Sequence, residues 1–313
     1  AILAVLQRHT GWDPRNADLI VGTSAGANIG GLLRGNVPVG QALDRILTVP
    51  TNPRSMARLR ELSGRDGHET PMVAMRFAPA APSLAARELI RGFFARPSRI
   101  AAGLIPPGRL RTEVIGDRAA ELHHDGWPDD PLWLPSVRLS DGERVVFGRD
   151  RTDVGVGTAT EASSAIPGFF RPVPVDGDRF VDGGIHSATN ADLALGHSFD
   201  LVVVISPLSV ESASSGVRAS NGAMRLWCRE VLRREAKAIR EEGTRVLTIE
   251  PGLDEIKAMG PTLMDPTRVV NVVLQTSSAA RLDLADEDRY PELDILRQAS
   301  SEQPAPIDVA YPE

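Results

Sequence analysis

Two rhythms of apolar and polar residues run through this chain. Short uninterrupted apolar runs at 19–21 and at Leu201-Val202-Val203-Val204-Ile205 read as strands, the second one buried on both faces. Residues 132–139 and 144–147 alternate with a period of two around Ser140-Asp141-Gly142-Glu143, which marks a hairpin. Asp176-Gly177 sets a second hairpin between Val173-Pro174-Val175 and Phe180-Val181. Helical spacing marks 1–8, which Gly11 and Pro14 break, then 28–34 and 154–166. It marks a short 191–195 with Asn190 as N-cap, and 226–242, which Gly243 ends ahead of a strand at 245–249. On the last of these helices Trp227, Cys228, Val231, Leu232, Ala236 and Ile239 share one apolar face, so Cys228 is expected in the core. Alternating helices and strands predict an α/β fold, a three-layer α/β/α sandwich whose sheet is largely parallel and made mixed by the hairpins. Ligands of such sheets bind at the carboxyl ends of the strands.

Composition narrows the picture. The chain has 313 residues, enough for one large α/β domain or two small ones, and 42% of them are apolar, which suffices for a core. A net charge of −6 argues against nucleic-acid binding. The single cysteine excludes an internal disulfide and fits a reducing, cytoplasmic compartment. No apolar run approaches the ~20 residues of a membrane span, and no signal peptide is visible. Two segments stand apart. Residues 51–110 are rich in Ala, Pro and Arg and show no clear strand; from Arg87 to Arg111 six arginines face one acid, Glu88, a local charge of +5. This is either an ordinary helical insertion with a solvated cationic face or a lid, with Phe93 and Phe94 toward the cleft and the cations toward anionic lipid. Residues 283–313 hold nine acids against Arg289 and Arg297, a local charge of −7, and from Ser300 onward read as a polar, loosely attached tail.

The chemistry begins at Gly22-Thr23-Ser24-Ala25-Gly26, a G-x-S-x-G pattern directly after the first strand. A chain leaving a strand for a helix here turns sharply, and the two glycines accept crowding that a Cβ would not. The turn exposes the Ser24 hydroxyl at a helix N-terminus, where free N–H groups and the helix dipole favour negative charge. The competing account is a bystander serine in a tight turn. Arg179-Phe180-Val181-Asp182-Gly183-Gly184 places Asp182 at the end of a short strand ahead of two glycines; alone, this also fits an aspartate capping a turn. A serine hydroxyl needs a base. Of His9, His68, His123, His124, His186 and His197, only the last two follow Asp182, both too close behind it for a nucleophile–acid–histidine order. His197 fits a helix C-terminus, and His123-His124 in a turn is a weak metal signal. His186 stays open as a base, but Asp182 acting directly is preferred, which demands an Asp182–Ser24 hydrogen bond of about 2.6–3.2 Å.

Taken in order, Gly22-Thr23-Ser24-Ala25-Gly26, Ala162-Ser163-Ser164-Ala165-Ile166-Pro167-Gly168-Phe169-Phe170 and Val181-Asp182-Gly183-Gly184 resemble the patatin-like phospholipases, lipid acyl hydrolases with a Ser–Asp dyad. The resemblance spans about residues 1–206, with a fainter echo at Ala258-Met259-Gly260. It implies Ser24 as nucleophile, Asp182 as base, the Ala25 N–H as one oxyanion donor, Gly22 and Gly26 as the frame of the elbow, and Gly183 and Gly184 as support. Residues 163–170 would pack beneath the site. It implies as well a strand and Gly-rich loop ahead of Ala1, carrying the other oxyanion donors, with 1–8 as the helix after that loop. The expected substrate is a lipid or acyl ester, with no cofactor, no metal and no nucleic acid, and with peripheral contact to a membrane. The expected division is an acyl hydrolase domain over 1–282, with 51–110 as insertion or lid, and an acidic C-terminal tail over 283–313. An acyltransferase on the same acyl-enzyme stays open beside the hydrolase, as does a non-catalytic binding protein of the same fold.

Overall fold

The computed structural model describes residues 1–48, 80–82, 84–85, 103–108, 110–124, 126–219, 221–261, 265–286 and 288–302. Phe93, Phe94 and most of the basic stretch expected to form a lid lie outside the described residues.

The strand β2 (Leu132–Arg138) is the hub of a five-stranded mixed sheet. It pairs in parallel with β1 (Ile20–Val21) and antiparallel with both β3 (Arg144–Phe147) and β5 (Asp178–Asp182); β4 (Val173–Val175) then closes the edge against β5. The β4–β5 turn is the tight one its sequence asks for: Asp176 and Gly177 both take positive φ, 47° and 83°, the mirror-image turn that matches strand twist. β6 (Leu201–Ile205) and β7 (Arg245–Ile249) form a separate parallel pair. β6 is less enclosed than its sequence predicts. Only Val204 is fully buried, because β7 is the one strand that flanks β6 among the described residues.

Helices lie on both sides of the strands: α1 (Ile2–Thr10), α2 (Ala25–Arg34), α3 (Val39–Thr48), α4 (Glu113–Leu122), α5 (Val156–Ser163), α6 (Ala213–Arg218), α7 (Gly222–Glu241), α8 (Leu253–Met259), α9 (Val269–Asp283) and α10 (Leu293–Glu302). The main core joins α2, α4 and α5 to the mixed sheet through Ala27, Ala119, Leu134, Ala159 and Ala162. It is centred on the edge-to-face pair Phe147–Phe180, whose ring centroids are 5.3 Å apart. A second core packs α7 on β6 and β7 through Leu232, Ala236, Ile239, Val204 and Val246. Cys228 is buried on that face, and burial pushes its thiol up to about 11, so it behaves as a small apolar residue. Trp227 is not on that face, against expectation: it is 38% exposed, since one helical step turns it about 100° from the stripe 228–232–236–239. A third core unites α1, β7, α9 and α10. The described part of the acidic stretch, within residues 283–302, therefore packs, with Leu284, Leu293 and Leu296 buried and Arg297 Nη2 lying 3.0 Å from His9 Nε2 on α1. Among the described residues no helix is long and apolar enough to cross a membrane.

Candidate active site

Strand β1 delivers the chain into a constricted turn. The Gly22 N–H still donates to the Trp133 carbonyl at 2.9 Å, as a last rung of the β1–β2 ladder. A Cβ on Gly22 would lie 2.5 Å from the Gly26 carbonyl oxygen, so no other residue fits. Gly26 differs from expectation: no described atom lies within 4 Å of where its Cβ would be, so this glycine borders open space rather than relieving a clash. Between them Ser24 takes φ 56° and ψ −117°. A non-glycine residue at positive φ costs on the order of 1–3 kcal/mol and persists only when its surroundings hold it. They do so here. The Ser24 N–H donates to the Ser163 carbonyl at 3.1 Å, and the Ser24 carbonyl accepts from Ala27 N–H at 2.9 Å and from Ser164 Oγ at 3.3 Å. Ser163 is itself buried, with its hydroxyl donating to the Pro135 carbonyl at 2.8 Å on β2. Residues 163–165 thus lie directly beneath the elbow.

Ser24 occupies the N-cap position of α2 without using its side chain as a cap. The hydroxyl is left for other partners, at the positive end of a ten-residue helix. The Ala25 N–H has no acceptor among the described residues, and Ala25 is exposed. It is an orphan donor of the kind every helix N-terminus leaves.

Asp182 ends β5, opposite Ser136 on β2, and its own N–H donates to the Ala165 carbonyl at 3.0 Å. Gly183 follows where a Cβ would come within 2.3 Å of the Pro135 carbonyl oxygen, so the chain can cross β2 only as glycine. Asp182 is 5% exposed; Oδ1 accepts from the Gly184 N–H at 2.7 Å, and the Ser24 side chain is near enough to favour the ionised carboxyl. Burial pushes the carboxyl up to about 6, while the Gly184 N–H and the Ser24 hydroxyl pull it down. The result is a carboxyl that is ionised at neutral pH and far more basic than a surface aspartate.

The histidines are engaged elsewhere. His123 Nε2 lies 2.9 Å from the Gly31 carbonyl of α2. His197 stacks on Phe199 with centroids 5.4 Å apart and meets Trp133 edge-on at 5.5 Å, an aromatic packing role rather than the helix-terminus role its sequence suggests. His186 follows the turn after Gly183 and is near enough to Asp192 to favour its ionised form. Asn190 is buried at the start of a short 3-10 turn but does not cap it; its amide turns toward Thr23 instead, a contact across 167 residues that local sequence cannot signal. Among the described residues no cluster of three or more His, Cys, Asp or Glu side chains suits a metal ion. Two clefts of about 390 and 690 Å³ flank α7 or β7, and neither is lined by Ser24 or Asp182.

What the geometry assembles is a hydroxyl held at a strained elbow, a buried basic carboxyl beside it, and a free N–H at a helix N-terminus. The family model described as patatin-like phospholipase matches residues 3–195, a span that contains the elbow, the Ser163 platform and the Asp182 turn. No curated protein matches the chain.

Proposed function

The chain belongs to the patatin-like phospholipase family, whose members act on lipid esters, and from that premise we propose that it is a serine acyl hydrolase working through Ser24 and Asp182. The observation that carries the reading is the Ser24 hydroxyl, held at a positive-φ elbow on a helix N-terminus, beside the buried Asp182 carboxyl whose pKa is raised to about 6. As Ser24 Oγ attacks an ester carbonyl, Asp182 takes the hydroxyl proton. The carbonyl oxygen gains negative charge, which the Ala25 N–H and the α2 dipole stabilise. The proton passes to the leaving alkoxide as the ester bond breaks and the acyl group stays on Ser24. A water molecule then gives a proton to Asp182 and attacks the acyl carbon; the Ser24–acyl bond breaks, Asp182 returns the proton to Ser24 Oγ, and the acid leaves.

The segment 51–110 is a helical insertion or a lid, and in the lid reading the Arg87–Arg111 cations meet an anionic lipid surface. The experiment is fluorophosphonate labelling of the parent and of Ser24→Ala. Labelling of the parent that the substitution abolishes supports the reading; equal labelling of both refutes it. Hydrolysis measured with and without acceptor alcohols then separates hydrolase from acyltransferase.

A further inference from the structure

Asn190 lies outside the Ser24–Asp182 pair, yet its side chain reaches the neighbours of both. It is fully buried and sits at φ 49°, a left-handed conformation that asparagine tolerates. Its Nδ2 donates to Thr23 Oγ1 at 3.0 Å and to the Ser187 carbonyl at 2.6 Å, and lies 3.5 Å from the Gly183 carbonyl. Thr23 immediately precedes Ser24, and Gly183 immediately follows Asp182. Ser187 belongs to the same turn as Gly183, since its N–H donates to the Gly183 carbonyl at 3.2 Å.

The amide is itself held from two sides. Oδ1 accepts from Arg144 Nη1 at 3.0 Å, and that guanidinium grips Asp192 through two bonds of 2.7 and 2.8 Å. On the other side the Asn190 N–H donates to Ser187 Oγ at 3.0 Å. Buried Glu235 of α7 accepts from Thr189 Oγ1 at 2.7 Å and from the Ala191 N–H at 3.1 Å, so it anchors both residues that flank Asn190. Both amide protons and the amide oxygen have near partners, and a buried polar group so satisfied has one orientation.

We propose that Asn190 is a positioning residue that clamps the elbow, at Thr23, to the turn carrying Asp182, at Ser187 and Gly183. Ser24 and Asp182 come from segments more than 150 residues apart; β2 and the Ser163–Ser164 platform hold the elbow from beneath, and the Asn190 amide joins the elbow to the Asp182 turn directly. Its value for catalysis rests on the acyl hydrolase reading; the clamp as a structural device does not.

The test reads both. Hydrogen exchange of the parent, Asn190→Ala and Thr23→Val is followed in peptides covering 22–27 and 183–187, with β7 as control, alongside ester hydrolysis. Asn190→Ala should quicken exchange in both peptides and leave β7 unchanged, and should lower kcat about 10–100-fold with KM within about twofold, as expected for a misaligned pair. Thr23→Val, which removes only one hydroxyl, should reproduce part of this and keeps the test alive if Asn190→Ala does not fold. The double variant should lose no more than Asn190→Ala alone, because both break one contact. Exchange that quickens in neither peptide or in only one overturns the clamp, as do multiplying losses. Both peptides loosening with kcat unchanged overturns the positioning role. If the parent hydrolyses no ester, the acyl hydrolase reading fails, and the exchange pattern alone still decides the clamp.

Discussion

Replacing Asp182 by asparagine should abolish turnover and, at alkaline pH, make the protein more stable. In the folded chain burial raises this carboxyl from 3.8 to about 6. Between those values the folded state binds the proton more tightly than the unfolded state. Stability from this group is therefore highest in acid, falls as the pH rises through the window, and above about 6 the whole penalty applies. At about 1.36 kcal/mol per pH unit, the ionised carboxylate lowers stability by roughly 1 kcal/mol at pH 4.5 and roughly 3 kcal/mol at pH 8. An amide does not titrate. Its oxygen still accepts from the Gly184 N–H and its nitrogen can donate to Ser24 Oγ, so the variant keeps the hydrogen bonds and loses the buried charge. Urea unfolding of parent and Asp182→Asn at the two pH values should show an advantage for the variant that grows by about 2 kcal/mol from acid to alkali, with equal m-values. A difference that is flat with pH, or a variant less stable at pH 8, would refute the argument that a buried carboxylate only partly compensated by its hydrogen-bond donors sits at this position. The same titration should appear in the parent as an acid limb of kcat/KM near pH 6, since only the ionised carboxylate takes a proton.

The two elbow glycines should behave oppositely. Gly22→Ala drives a Cβ onto the Gly26 carbonyl and should lower stability by about 1–3 kcal/mol and abolish labelling of Ser24, whereas Gly26→Ala, facing open space, should keep its melting temperature within a few degrees. His197→Ala removes a ring packed on Phe199 and Trp133 and should lower stability by about 1 kcal/mol while retaining kcat, read by calorimetry beside an esterase assay. His186→Ala should keep most of its turnover; a variant as inactive as Ser24→Ala would replace the direct carboxylate base with a histidine.

The parts of this fold legible in the sequence are those whose cause is local. Asp176-Gly177 dictates its own turn, the β2–β3 hairpin follows from alternation around Asp141-Gly142, and Gly22 to Gly26 declares an elbow without any tertiary information. α4 escapes such reading because its buried residues are Gly116 and Ala119, too small to produce a clear apolar period. α10 is masked by its company: four acidic residues within 283–288 and the Pro-containing stretch that follows it hide Leu293 and Leu296, which pack on a helix almost 300 residues away. The candidate site divides the same way. Ser24 and Asp182 carry local signatures, but the support from Ser163, Asn190 and Glu235 does not, since a hydrogen bond closed across 46 to 167 residues exists only once the chain has folded.

The meeting of α1 with α10 bears on the order in which this protein is made. Leu6 of α1 is fully buried, against a core that includes Leu247, Leu284, Leu293 and Leu296. On a ribosome α1 emerges early, and the surface that covers it arrives only after residue 296 has cleared the exit tunnel. Until then α1 carries an apolar face, worth roughly 2 kcal/mol per large side chain, that its native partners cover only in part. Contacts this distant in sequence also form slowly, because the loop they close spans about 290 residues. Synthesis should therefore pass through a stage in which the elbow and its sheet are complete while α1 is still exposed, and that stage is where a chaperone holding apolar helices would most affect yield.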